Sequence, residues 1–175
     1  MNEQSKGLIA YLLSKFEIKL EPIVLIKLVY LSELEALEKY GKRFTDLRFI
    51  HYKHGPYANE LQNSYEKNGF DSLKTDCNDP DLVNVAETIV NKWKPIVLGG
   101  GIQGLINKAY HTLPFQEASY GEEIDFEKYI GNKYISKIVV DKKQSRKLSN
   151  PNLRLYSSSN KELQGSVDAF LEQFN

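Results

Sequence analysis

The chain has 175 residues, enough for one domain with a core that needs no cross-links. Its 23 Lys and Arg balance 23 Asp and Glu, and that zero net charge argues against a general nucleic-acid binder, which carries a basic excess. A lone Cys77 excludes an internal disulfide framework and suits a reducing cytoplasm, the polar start shows no signal-peptide pattern, and no apolar run approaches the ~20 residues of a membrane span.

Leu8, Ile9, Leu12, Leu13 and Phe16 recur at helical spacing, which predicts an amphipathic helix over about residues 4–16. Pro22 stands where a first helical residue is favoured, because its missing N–H has no partner there. The helix it opens is apolar nearly all round to Leu31, interrupted only by Lys27, so it reads as central and buried. Charge enters in its last turns at Glu33, Glu35, Glu38 and Lys39, read as a solvated end, and Gly41 is expected to supply a left-handed cap. Residues 44–53 alternate with aromatics and read as a strand. Gly55-Pro56 is expected to break it and to start a helix carrying Tyr57, Leu61 and Tyr65 inward.

Asp79-Pro80 opens the next helix, with Leu82, Val85, Ala86, Ile89 and Trp93 on its inner face. Pro95 and Gly99-Gly100-Gly101 are read as interrupting it, and a further helix follows over 102–112 until Leu113-Pro114. Residues 134–140 read as an edge strand or hairpin arm, pairing with 44–53, and 142–147 form a short basic run. Ser159 and Glu162 make a capping box. Behind it, Leu163, Val167, Phe170, Leu171 and Phe174 form one apolar stripe of a terminal helix. That helix either packs on its own domain or docks on a partner or second copy of the chain.

The residues 95–105, PIVLGGGIQGL, imitate a dinucleotide fingerprint. Glycines there would permit a tight turn, close approach to a pyrophosphate and close helix packing. The setting argues otherwise, since a helix precedes the run and no acidic strand end follows at the usual spacing of about twenty residues. The run is therefore read as a helix–helix connector.

No other residues assemble into chemistry. His51 and His54 would point to opposite faces of a strand, and His111 and Cys77 lack the paired spacing of a zinc site. Cys77 lies among Asp76 and Asp79, which would raise its thiol pKa rather than activate it. The chain is thus expected to have no catalytic site, no metal and no cofactor. Its eleven tyrosines suit a protein interface, because a tyrosine joins rigid contact area to a polar tip.

One stretch carries a family signature. Residues 26–57 read IKLVYLSELEALEKYGKRFTDLRFIHYKHGPY, with Lys27, Tyr30, Tyr40-Gly41 and His54-Gly55-Pro56 at characteristic spacings. This resembles the Panacea (SocA-like) antitoxin domain, a family of bacterial, archaeal and phage toxin–antitoxin loci. The similarity extends over about residues 21–118. In its weaker second part, residues 106–114, INKAYHTLP, resemble a helical motif of the family, with Phe115 where an aromatic Trp is usual.

The resemblance implies a mainly helical domain over 1–126 with a small antiparallel sheet or hairpin. Residues 127–175 would form an extension packed on it. It further implies a non-enzymatic, cytoplasmic antitoxin on a phage or mobile element that neutralises a cognate toxin by contact. One described type of member hands its toxin to a Clp protease. A nucleotide-binding enzyme at 99–104 and a DNA-binding regulator are the alternatives from other classes. Candidate partner contacts are Tyr52, Lys53, His54, Tyr57, Phe170 and Phe174, and Gly41, Gly55 and Pro56 are the expected structural turns.

Overall fold

The computed structural model describes residues 1–16, 18–69, 79–133 and 135–136, all within the first of two units, residues 1–138. These residues are mainly helical, with one two-stranded antiparallel sheet. Helix α1 (Glu3–Lys15) starts at Asn2, whose side chain accepts the Ser5 N–H at 2.7 Å and so satisfies one of the unpaired amides of the first turn. Its Leu8, Ile9 and Leu12 are fully buried.

Helix α2 (Pro22–Tyr40) is the centre of the fold. It packs against α1, against helices α3 (Asn59–Asn68), α4 (Pro80–Leu98) and α5 (Ile102–Tyr110), and against the hairpin. A helix surrounded in this way has no solvent face for most of its length, which is why its sequence is apolar all round. Gly41 ends it at φ 64°, donating its N–H to the Leu37 carbonyl at 3.0 Å. At the heart of the core Phe49 meets Tyr30 and Phe126 edge to face, Tyr30 and Phe126 are tilted against each other, and the Tyr30 hydroxyl shares a 2.7 Å hydrogen bond with Thr112.

The sheet differs from the expected one. Strand β1 (Ile50–Tyr52) pairs with β2 (Gly55–Tyr57), in the register Ile50↔Tyr57, His51↔Pro56, Tyr52↔Gly55. Pro56 therefore lies in a strand and does not start a helix; α3 begins at Asn59. Residues 44–49 are not a strand either. The amides of Phe44 and Thr45 are taken by the Glu33 carboxylate at 3.2 and 2.7 Å, so they are not available to a ladder.

Two proline readings also change. Helix α4, capped by Asp79, runs through Pro95 to Leu98 and is not interrupted there. Proline removes one amide donor, which the last turn of a well-packed helix tolerates. Pro114 lies in the first turn of a short helix, α6 (Leu113–Glu117), and so opens an element as well as closing one. The chain then passes through a 3-10 turn, Phe126–Tyr129, whose Tyr129 is buried with its hydroxyl donating to Glu117.

Of the strand expected over 134–140, only residues 135 and 136 are described, and they lie in a turn. Cys77, the basic run 142–147 and the helix expected over 160–174, with Phe170 and Phe174, lie outside the described residues.

Candidate functional site

Lys27 sits on α2 facing the hairpin and is 2% exposed. Its Nζ donates to the Pro56 carbonyl oxygen at 2.7 Å. Burial lowers its pKa to about 7, through the cost of keeping an ammonium out of water. Gly55 adopts φ 93°, and a Cβ placed there would come within 3.2 Å of Lys27 Cε. Half-buried His54 is held neutral, its pKa pushed down to about 4 by burial and by the charges of Lys53 and Lys27.

The hairpin is held on both sides. On one side of β1 the His51 N–H donates to Glu122 O at 2.9 Å and the Gly121 N–H to His51 O at 2.8 Å. His51 thus turns its backbone groups away from β2, which makes His51↔Pro56 a pair without mutual hydrogen bonds. Pro56 consequently faces its own carbonyl outward, where Lys27 takes it, and has no N–H to offer. The central residue of the outer strand is closed to strand addition.

What the hairpin presents is side chains. Tyr52, 43% exposed, contacts Tyr57 with ring centroids 5.5 Å apart. It also stacks on Tyr120, itself 66% exposed, at 5.9 Å and 20°. The aromatic strip continues inward through His51, whose ring lies 4.0 Å from Phe115 and whose Nδ1 shares a 2.7 Å hydrogen bond with the Ala118 carbonyl. Of the residues expected to meet a partner, Tyr52 and Lys53 are exposed, while Tyr57 and His54 are half-buried.

Tyr120 was not among the expected contacts. Its signal was an aromatic residue ahead of a glycine in a polar, acidic loop, but only the fold brings that loop beside β1. Lys27 had a plainer signal, as the single charge within an apolar run.

The carboxylates of α2 are not a solvated end. Glu33 is fully buried, paired with Arg43 Nε at 2.9 Å in addition to the two amides. Desolvation raises its pKa, opposed first by the Arg43 charge. Glu38 accepts from the Ser136 N–H and hydroxyl at 2.7 and 2.8 Å, and Glu35 pairs with Lys39 at 3.0 Å. Among the described residues no group of three His, Cys, Asp or Glu is placed to hold a metal. His111 caps the end of α5, its Nδ1 against the Asn107 carbonyl at 2.7 Å.

The glycine run is an interhelical corner. Gly99 caps α4, Gly100 takes φ 80°, and the Gly101 N–H donates to Ile96 O at 2.7 Å. What precedes it is the last turn of a helix, not the strand a dinucleotide fold requires.

This geometry lies largely inside one recognisable segment. Residues 25–92 match the family described as antitoxin SocA-like, Panacea domain. The matched Panacea segment takes in α2 from Leu25, the hairpin, α3 and most of α4, and so contains both ends of the Lys27–Pro56 contact. Tyr120 lies beyond it. The match supports an antitoxin-type role. No curated protein and no solved structure matches the chain. No helix among the described residues is long and apolar enough to cross a membrane.

Proposed function

We propose that this chain is an antitoxin-type binding module that neutralises a cognate toxin protein by direct contact, through the face formed by Tyr52, Lys53, His54 and Tyr57 together with Tyr120. The supporting observation is the stacked, exposed Tyr52–Tyr120 pair. Aromatic rings with two torsions give large contact area at low entropic cost, and rings already stacked lose still less on binding. The hairpin that carries Tyr52 is anchored on one side by the loop at 121–124 and on the other by Lys27, so the face is largely preorganised.

The test is protection. The neighbouring open reading frame is expressed with and without this chain, and growth is scored. The double variant Tyr52→Ala, Tyr120→Ala should lose protection while keeping its helical circular dichroism and its melting temperature within a few degrees. Full protection by the folded double variant refutes the assignment of this face. Toxin lifetime in the same cells separates masking by contact from handover to a Clp-type protease.

A further inference from the structure

The tyrosine strip has acid at both ends. Residues 117–127, EASYGEEIDFE, contain five carboxylates and no base. Glu122, two residues from Tyr120, is exposed, and among the described residues its side chain has no ion pair. At the other end is Glu66, exposed on α3, the helix that directly follows β2; the Tyr57 hydroxyl pKa is raised first by burial and then by the Glu66 charge. The Glu66 Oε1 accepts from Gln62 at 3.0 Å, a neutral donor, and among the described residues Glu66 has no ion pair.

We propose that this strip receives arginine side chains of a basic partner segment, whose guanidinium groups lie on the Tyr120 and Tyr52 rings and pair with Glu122 and Glu66. The inference rests on the reading of this face as the toxin-binding one. Three physical reasons favour arginine. A guanidinium is planar and weakly hydrated, so it stacks on a tyrosine ring with little loss of solvation. Its fork of donors matches a carboxylate in two parallel hydrogen bonds. With Pro56 closing the outer strand, a partner segment binds through side chains rather than by extending the sheet.

The fold already contains one such arrangement. Arg43 lies with Cζ 4.5 Å from the Phe126 ring centroid while its Nε pairs with Glu33 at 2.9 Å. The surface strip presents the same components, ring and carboxylate. Lys53, exposed at the hairpin turn, opposes the same cation and serves as an internal control on its sign.

The experiment measures fluorescence anisotropy of three labelled peptides with the whole chain: a glycine-spaced oligo-arginine, its lysine counterpart and its glutamate counterpart. The arginine peptide should bind tightest. Tyr120→Ala and Glu122→Gln should each weaken it by about 2- to 5-fold, the size of an exposed cation–π or ion-pair contact. Tyr120→Phe should retain most of the binding, and Lys53→Gln should tighten it. Equal affinity for arginine and glutamate peptides, or no effect of Tyr120→Ala in a protein that remains folded, overturns the proposal.

The toxin assay separates this inference from the reading beneath it. Loss of protection in Tyr120→Ala without any arginine preference keeps the face and refutes the arginine assignment. Arginine binding through Tyr120 with intact protection refutes the toxin-binding role of the face, and with it the assignment of those arginines to the toxin.

Discussion

Lys27 and Pro56, distant in sequence and on different elements, are joined by a buried 2.7 Å hydrogen bond from an ammonium to a carbonyl that has no strand to pair with. The contact ties the central helix to the hairpin that carries Tyr52 and Tyr57. It satisfies the outward carbonyl of β2, and its cost is a buried charge that, among the described residues, has that one acceptor in place of its solvation.

That cost should be visible in the pH dependence of stability. The folded pKa of Lys27, about 7, is below its unfolded value of 10.5. Below about pH 7 both states hold the proton and the penalty is complete. As pH rises from there toward 10.5, the folded state has released a proton that the unfolded state still binds, so this group's contribution to stability improves. Lys27→Met removes the charge but leaves the Pro56 carbonyl without a donor, a loss of about 1–3 kcal/mol. The variant should therefore compare best with the wild type at pH 6 and worse at pH 9.5. Melting temperatures at both values check this; a difference that does not change with pH would show that Lys27 does not titrate in this range.

Gly55 must hold φ 93° at the start of β2 with Lys27 Cε beside it. Valine disfavours that conformation and has no room on that side, so Gly55→Val should destabilise by about 1–3 kcal/mol. Denaturant unfolding measures it, and an unchanged midpoint would mean that the turn relaxes freely.

Glu33 is fully buried and serves Arg43 and two backbone amides at once. Removing the carboxylate leaves a partly buried guanidinium and two amides without their acceptor. Glu33→Ala is expected to cost about 3–5 kcal/mol, the range for breaking one partner of a buried pair. Glu33→Gln keeps an acceptor for the amides and should cost less. Thermal unfolding of the two variants tests the order.

The corner at 99–104 predicts opposite outcomes for two glycines. A Cβ on Gly101 would meet Ile96 Cγ2 at 2.7 Å and Ile96 O at 2.9 Å, so Gly101→Val should destabilise by about 1–3 kcal/mol. Gly104 lies exposed in α5, where a Cβ would have nothing nearer than 3.9 Å. Gly104→Ala should raise stability by about 0.5–1 kcal/mol through lower unfolded-state entropy. Equal melting temperatures for the two variants would contradict the packing described.

Much of the architecture was legible in the chain because it is local. Apolar spacing marked α1, α2, α4 and α5, Asp79 and Pro22 marked helix starts, and Gly41 marked a stop, each through the conformational preference of a few adjacent residues. The apolar run of α2, broken only by Lys27, also announced that it would be central, since only a helix covered on every side can be apolar nearly all round. Tyr52, Lys53, His54 and Tyr57 were visible as a cluster about a turn for the same reason.

The tertiary structure decided the rest. Whether Pro56 opens a helix or lies in a strand depends on Lys27, twenty-nine positions away, supplying a donor to its carbonyl. Whether 44–49 forms a strand depends on Glu33 claiming its first amides, and whether Glu33 is solvated depends on where that loop folds back. Tyr120 joins Tyr52 only because the loop at 121–124 hydrogen-bonds to β1. Helical periodicity and turn chemistry are properties of neighbours along the chain, so a sequence displays them directly. The partner of a buried charge, a lone carbonyl or an exposed ring is chosen by packing between distant segments, and that choice exists only once the chain has folded.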